Sequence, residues 1–169
     1  MFSRLAGLIL MIAAACATCA ASAASPRGSG AAFDPIAFFI GRTHGEGELN
    51  KLIGKPVKVS VDSVGRRQGD TLSLVQTIHE GDKPARARRW TMKQIAAGRY
   101  TGTLTDAVGP VQVIVTGSRA SIRYRTEDGL QVEQQLTLQR DGKPLLNRMR
   151  VRKFGLQVAT LEETIRKLD

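Results

Sequence analysis

From Thr43 onward, apolar and polar residues alternate with a period of two, the spacing that lines one face of a strand. Val57, Val59 and Val61 alternate with Lys58, Ser60 and Asp62. Leu72, Leu74 and Ile78 share the next inward face, with Gln76 among them. Trp90 and Met92 oppose Arg89, Thr91 and Lys93, and Tyr100, Gly102 and Leu104 oppose Thr101, Thr103 and Thr105. Val111, Val113 and Val115 follow with Ile114 on the other face, which predicts a strand covered on both sides. Turn chemistry separates these runs: residues 66–70, 81–84, 97–98, 109–110, 117–118 and 141–144. About ten short strands at regular spacing predict a sandwich or barrel rather than βαβ units. Gly45 and Gly47 inside the first strand predict a bend or a close backbone approach.

One hairpin is specified down to its register. Ile122 and Tyr124 form an apolar face, Arg123 and Arg125 a polar one. Leu130, Val132, Leu136 and Leu138 face inward on the next strand. A two-residue Asp128-Gly129 turn would pair Arg125 with Val132 and mix the faces. A three-residue loop, Glu127-Asp128-Gly129 with Gly129 left-handed, pairs Tyr124 with Val132 and Arg123 with Glu133, and is the expected one.

The ends of the chain depart from this pattern. Asp34-Pro35 is an N-cap acid followed by Pro at the first helical position. Ile36, Phe39 and Ile40 then share a face and Gly41 can end the turn, predicting a helix of about two turns, too short to hold alone. It must dock, and the open end of a barrel is the natural place. At the other end, Val158, Leu161, Ile165 and Leu168 suit a helix, with Thr160 to Glu163 resembling a capping box. Before it lies Leu145-Leu146-Asn147-Arg148-Met149-Arg150-Val151-Arg152-Lys153-Phe154-Gly155, where arginines alternate with apolar residues up to a bend at Gly155.

The first residues lie outside the repeat. Arg4, an apolar run over residues 5–15 and Ala21-Ser22-Ala23 form an export signal with a cut before Ala24. The run is too short to span a membrane as a helix. The chain therefore divides into a signal peptide (1–23), a Gly-rich flexible leader (24–33) and one barrel domain (34–169). The expected location is periplasmic or otherwise exported. The minority alternative is a lipid anchor on Cys16, preceded by a poor lipobox. Both cysteines, Cys16 and Cys19, fall in the signal, so no disulfide framework is expected in the domain. The formal charge of +10 favours anionic partners, and export argues against nucleic acid.

Several pieces in fixed order resemble a bacterial exported, often lipid-anchored family, domain of unknown function 3833. They are Arg88-Arg89-Trp90, Gly98-Arg99-Tyr100-Thr101-Gly102-Thr103, Asp106-Ala107-Val108-Gly109, Ile122-Arg123-Tyr124-Arg125 and the run from Asn147 to Val158. The resemblance implies a lipocalin-like antiparallel barrel closed by its final strand. It therefore favours strand over helix for residues 156–166. It implies no established activity.

Candidate chemistry is sparse. His44 and His79, with Glu46, Glu48 and Glu80 as helpers, fall short of the three or four converging ligands that a metal needs. No nucleophile motif or phosphate loop occurs, and no cofactor is expected. The arginine row Arg148, Arg150 and Arg152 is the sharpest candidate, because guanidinium forks hold carboxylates and phosphates. Trp90 and Tyr100 would line a cavity or pack a core, and Asn147 would touch a ligand or tie down the barrel end. The expected function is a non-enzymatic envelope protein binding a lipid-like or amphipathic anionic small molecule, with such a molecule or an anionic membrane surface as partner. The alternatives are a barrel enzyme acting on a lipid or isoprenoid-like substrate, with His79 or Glu80 as acid-base groups, and an accessory protein with a filled core.

Overall fold

A computed structural model describes residues 32–140, 142 and 144–169. The export signal, both cysteines and the turn residues Asp141 and Lys143 lie outside the described residues. The chain order is α1 (Pro35–Phe39), β1 (Gly41–Lys51), β2 (Val57–Gln68), β3 (Thr71–Glu80), β4 (Arg86–Ala96), β5 (Arg99–Leu104), β6 (Val111–Thr116), β7 (Arg119–Arg125), β8 (Gln131–Leu138), β9 (Leu145–Lys153) and β10 (Leu156–Lys167). Every strand pairs antiparallel with its sequence neighbours, and β10 returns to β1 to close the barrel.

The period-two reading holds along the wall. Val59, Val61, Leu72, Leu74, Trp90, Met92, Val111, Val113, Ile122 and Leu136 are all buried, while Arg89, Lys93, Arg123 and Arg125 are exposed. The β7–β8 register is the expected one: Tyr124 faces Val132, Arg123 faces Glu133, and Gly129 has φ +81°. Arg123 Nη2 donates to Glu133 Oε1 at 2.8 Å across that pair.

Three expectations change. Residues 66–68 continue β2, and the turn is only Gly69-Asp70, because Arg66 and Arg67 still pair with Ser73 and Leu72. Ile114 is exposed, so β6 is covered on one face alone. The helix is a single turn of five residues rather than two turns. Asp34 caps it as expected, its carboxylate accepting from the N–H of Ile36 at 2.9 Å. Ile40 already has extended backbone and leads straight into β1.

That turn of helix plugs one end of the barrel. Ile36, Phe38 and Phe39 are buried, and Phe33 joins them, donating its N–H to the Gly117 carbonyl at 2.9 Å. Phe38 stacks edge-on between Phe33 and Phe39. The plug fits because β2 has a glycine beneath it: a Cβ at Gly65 would lie 1.7 Å from the Phe39 carbonyl oxygen.

The final segment is strand, as the family resemblance implies and against its local helical pattern. Leu161, Glu163 and Ile165 point inward, and nine pairs join β10 to β1. Between β9 and β10 stands a two-residue turn, Phe154-Gly155, with φ of 51° and 81°. A turn with both residues left-handed favours Asn-Gly or Asp-Gly. Phe154 is the one non-glycine residue with positive φ among the described residues, a placement that costs on the order of 1–3 kcal/mol. Its ring is 92% exposed, so burial does not offset that cost.

Candidate functional site

Opposite the plug the barrel is open, and a cavity of about 870 Å³ runs inward from that mouth. This lies within the range of small-molecule sites, roughly 300–1,000 Å³. Leu74, Trp90, Ile122, Val132, Met149 and Leu161 are among its walls, and Phe39 closes its floor. The alternation that drives the strands to pair thus turns an apolar surface towards an unfilled interior rather than a solid core.

Two polar patches interrupt the apolar wall. On one side Trp90 Nε1 donates to Gln76 Oε1 at 2.7 Å, and Gln76 Nε2 donates to Ser63 Oγ at 3.3 Å. The indole also meets Tyr124 edge-to-face at 5.9 Å. On the other side Asn147 Nδ2 donates to Glu163 Oε2 at 2.9 Å, both residues being buried. Burial pushes the Glu163 carboxyl above the usual range, only partly opposed by the Asn147 hydrogen bond and by His44. Asn147 Oδ1 is buried with no protein partner. A buried carboxyl with a raised pKa and an amide oxygen without a protein partner, set in an apolar wall, can hydrogen-bond a polar group of a guest.

The mouth carries the charges. Arg88 Nη2 donates to Asp106 Oδ2 at 2.7 Å, with Arg86 at 3.9 Å from the same oxygen. Arg88 Nε and Asp106 Oδ1 are buried without partners, and both residues line the cavity. Buried polar atoms normally find a partner, so this pair offers a donor and an acceptor to whatever enters. On the neighbouring strand β3, burial would raise the Glu80 carboxyl, but hydrogen bonds from Lys51 at 2.6 Å and Lys83 at 2.7 Å outweigh it and lower its pKa.

The residues singled out from sequence separate into three places. Trp90 and Asn147 line the cavity. Tyr100 is buried in the core but is not among the cavity's lining residues. Arg148, Arg150 and Arg152 are exposed on the outer wall, where Arg150 and Arg152 edge a shallow polar depression with Glu48, Asn50 and Glu162. The acid-base candidates do not converge: His79 is exposed on the outer face, and Glu80 is clamped by its lysines. His44 also sits outside, its Nδ1 2.7 Å from Asp62 Oδ1, which raises its pKa. No group of three metal-ligating side chains occurs among the described residues. Arg88, Asp106 and Glu163 were not picked out as site residues. Gly45 was the available signal for Glu163, since a Cβ there would lie 2.0 Å from the Glu163 carboxylate.

A model of the family described as "Protein of unknown function (DUF3833)" matches residues 10–167. No curated protein matches the chain. Among solved structures, the S-type phycobiliprotein lyase CPES of Guillardia theta is similar in fold, with TM-score 0.64 at 4% identity over 79% of this chain and 90% of that one. A protein of unknown function from the DUF3598 family of Nostoc punctiforme aligns with TM-score 0.61 at 14% identity, covering 86% of this chain and 53% of that one. Rv2717c of M. tuberculosis aligns with TM-score 0.55 at 15% identity, over 81% of this chain and 99% of that one. These likenesses establish a lipocalin-like barrel.

Proposed function

The chain belongs to the DUF3833 family, whose function is unknown, and for this member we propose a carrier: a non-enzymatic barrel that takes the apolar body of an amphipathic, lipid-like small molecule. The observation that carries this reading is the cavity of about 870 Å³, plugged by α1 at one end, open at the other and walled by apolar side chains. Apolar walls favour an apolar guest because its transfer from water contributes ~25 cal/mol per Å² buried. The unpartnered Arg88 Nε and Asp106 Oδ1 set the polar head at the mouth, and the Arg88 guanidinium, with Arg86 beside it, is the group that would hold an acidic head. A likeness in fold to a phycobiliprotein lyase supports the use of such a barrel around a small molecule, and no more than that. The proposed setting is the cell envelope, after export.

Trp90 is the only tryptophan of the chain and lines the cavity, so it reports on occupancy directly. A brominated long-chain fatty acid is expected to quench its fluorescence saturably, and native mass spectrometry of the purified protein is expected to show a co-purified lipid-like mass. The absence of both quenching and a bound mass would overturn the carrier and leave the accessory-protein reading ahead.

A further inference from the structure

The most exposed apolar side chains of the described residues gather at one end of the barrel. Phe154 is 92% exposed, Ile53 86%, and Leu52 and Leu156 69% each. All four stand on two adjoining tips at the mouth: the β9–β10 turn and the β1–β2 loop. The Leu52 N–H donates to the Val158 carbonyl at 2.9 Å and ties the tips together. Leu52 and Ile53 also line the cavity, so the tips are continuous with its opening. Residues 51–56 and 152–156 hold four cations, Lys51, Lys55, Arg152 and Lys153, and no carboxylate. Of the rim's acids, Glu80 takes up Lys51 and Lys83, Asp106 is bound by Arg88, and Asp128, on the β7–β8 loop beside β9, feels the charge of Lys153.

Phe154 supplies a second, independent pointer. A bulky aromatic holds a left-handed turn position that Asn or Gly would fill without strain, and it is left in water. Neither the turn nor the core accounts for it. Apolar tips ringed by lysine and arginine are the composition that seats a protein on an anionic lipid surface, aromatic and aliphatic groups entering the boundary and cations meeting headgroups.

We propose that the barrel docks mouth-down on an anionic lipid bilayer, with residues 52–53 and 154–156 inserted and Lys55, Arg152 and Lys153 against the headgroups. This rests on the carrier reading for its purpose: a seated mouth lets a lipid pass between bilayer and cavity without crossing water.

The test uses phosphatidylcholine vesicles with and without phosphatidylglycerol, in a flotation assay with the full folded domain. The variant is Phe154→Asn with Leu156→Thr, neither residue lining the cavity. Asn-Gly suits the turn, so thermal stability is expected to hold or rise. Wild type is expected to float with the anionic vesicles, less with neutral ones, and less as salt rises. The variant is expected to lose roughly tenfold or more of that association, the factor for withdrawing large apolar side chains from an apolar phase. Val75→Ser, an exposed apolar site elsewhere on the wall, is expected to change nothing. Trp90 quenching by the brominated fatty acid, read in parallel without vesicles, is expected to be the same in wild type and variant. Equal flotation of wild type and variant, or no flotation of wild type, overturns the docking surface even where quenching persists. Flotation that depends on the tips without any quenching upholds the surface and removes the carrier reading alone.

Discussion

The Asn147 amide donates to the Glu163 carboxyl across the β9–β10 pair, inside the barrel, at 2.9 Å. It sets an ionisable group into an apolar wall. Because burial raises the Glu163 pKa, the unfolded chain releases this proton first as pH rises. No stability is lost on this account below the ordinary carboxyl pKa of 4.5. Stability then falls as pH climbs from there through the raised folded value, and stays lower above it. Glu163→Gln is expected to remove that dependence. It should stabilise the barrel at neutral pH by on the order of 1–3 kcal/mol and leave it unchanged at acid pH. Urea denaturation of both proteins across the pH range checks this, and a constant difference at all pH values would contradict it.

Gly65 holds the plug in place. A methyl group there meets the Phe39 carbonyl at 1.7 Å, a backbone atom that cannot swing aside. Gly65→Ala is expected to displace α1 and cost on the order of 1–3 kcal/mol, as overpacked sites do. Denaturant midpoints measure the cost. Faster exchange of the α1 amides should accompany it.

The proposed carrier places its head-group contact at Arg88 rather than at the outer arginines. Losing a charged hydrogen bond of ~1.5–3 kcal/mol weakens binding roughly ten- to a hundredfold. Arg88→Met is therefore expected to reduce affinity for a long-chain carboxylate by that factor and to spare the matching alcohol. Arg150→Ala and Arg152→Ala, whose side chains lie on the outer wall, are expected to keep solution affinity, and Arg152→Ala to weaken vesicle association instead. Calorimetry with the acid and the alcohol separates these outcomes.

Export is checked at the N-terminus. Expression in a bacterial host with an intact secretion pathway is expected to yield an envelope product beginning at Ala24, after Ala21-Ser22-Ala23. An acylated product beginning at Cys16 would establish the lipid-anchored alternative.

The wall of the barrel was legible because burial there follows one simple rule. Each strand has one wet and one dry face, so Tyr124 opposite Val132 and Arg123 opposite Glu133 follow from matching faces across a loop. The last strand was not legible from its own residues. Its inward face reads Leu161, Glu163, Ile165, and an inward carboxylate breaks the alternation that marks a strand. Glu163 makes sense only with its neighbours: Gly45 leaves it room on β1 and Asn147 donates to it from β9. Those partners are distant in sequence, and only the β1–β10 and β9–β10 registers bring them together. The arginine row was conspicuous in sequence because alternation placed it on one face, yet alternation alone does not say which face is outside. Met149 and Val151 settled that by lining the cavity.

The seam between β1 and β10 also fixes when this protein can exist as a barrel. Residues 43–51 of β1 pair with residues 159–167, and the Arg42 N–H reaches the Asp169 carboxylate 127 positions away. Such non-local pairing makes folding slow and leaves strand edges open until the end. Neither the cavity nor its mouth is complete before residue 167 has left whatever holds it. A chain held short of the β1–β10 pairing, by a ribosome, a chaperone or a translocation channel, therefore has no finished pocket.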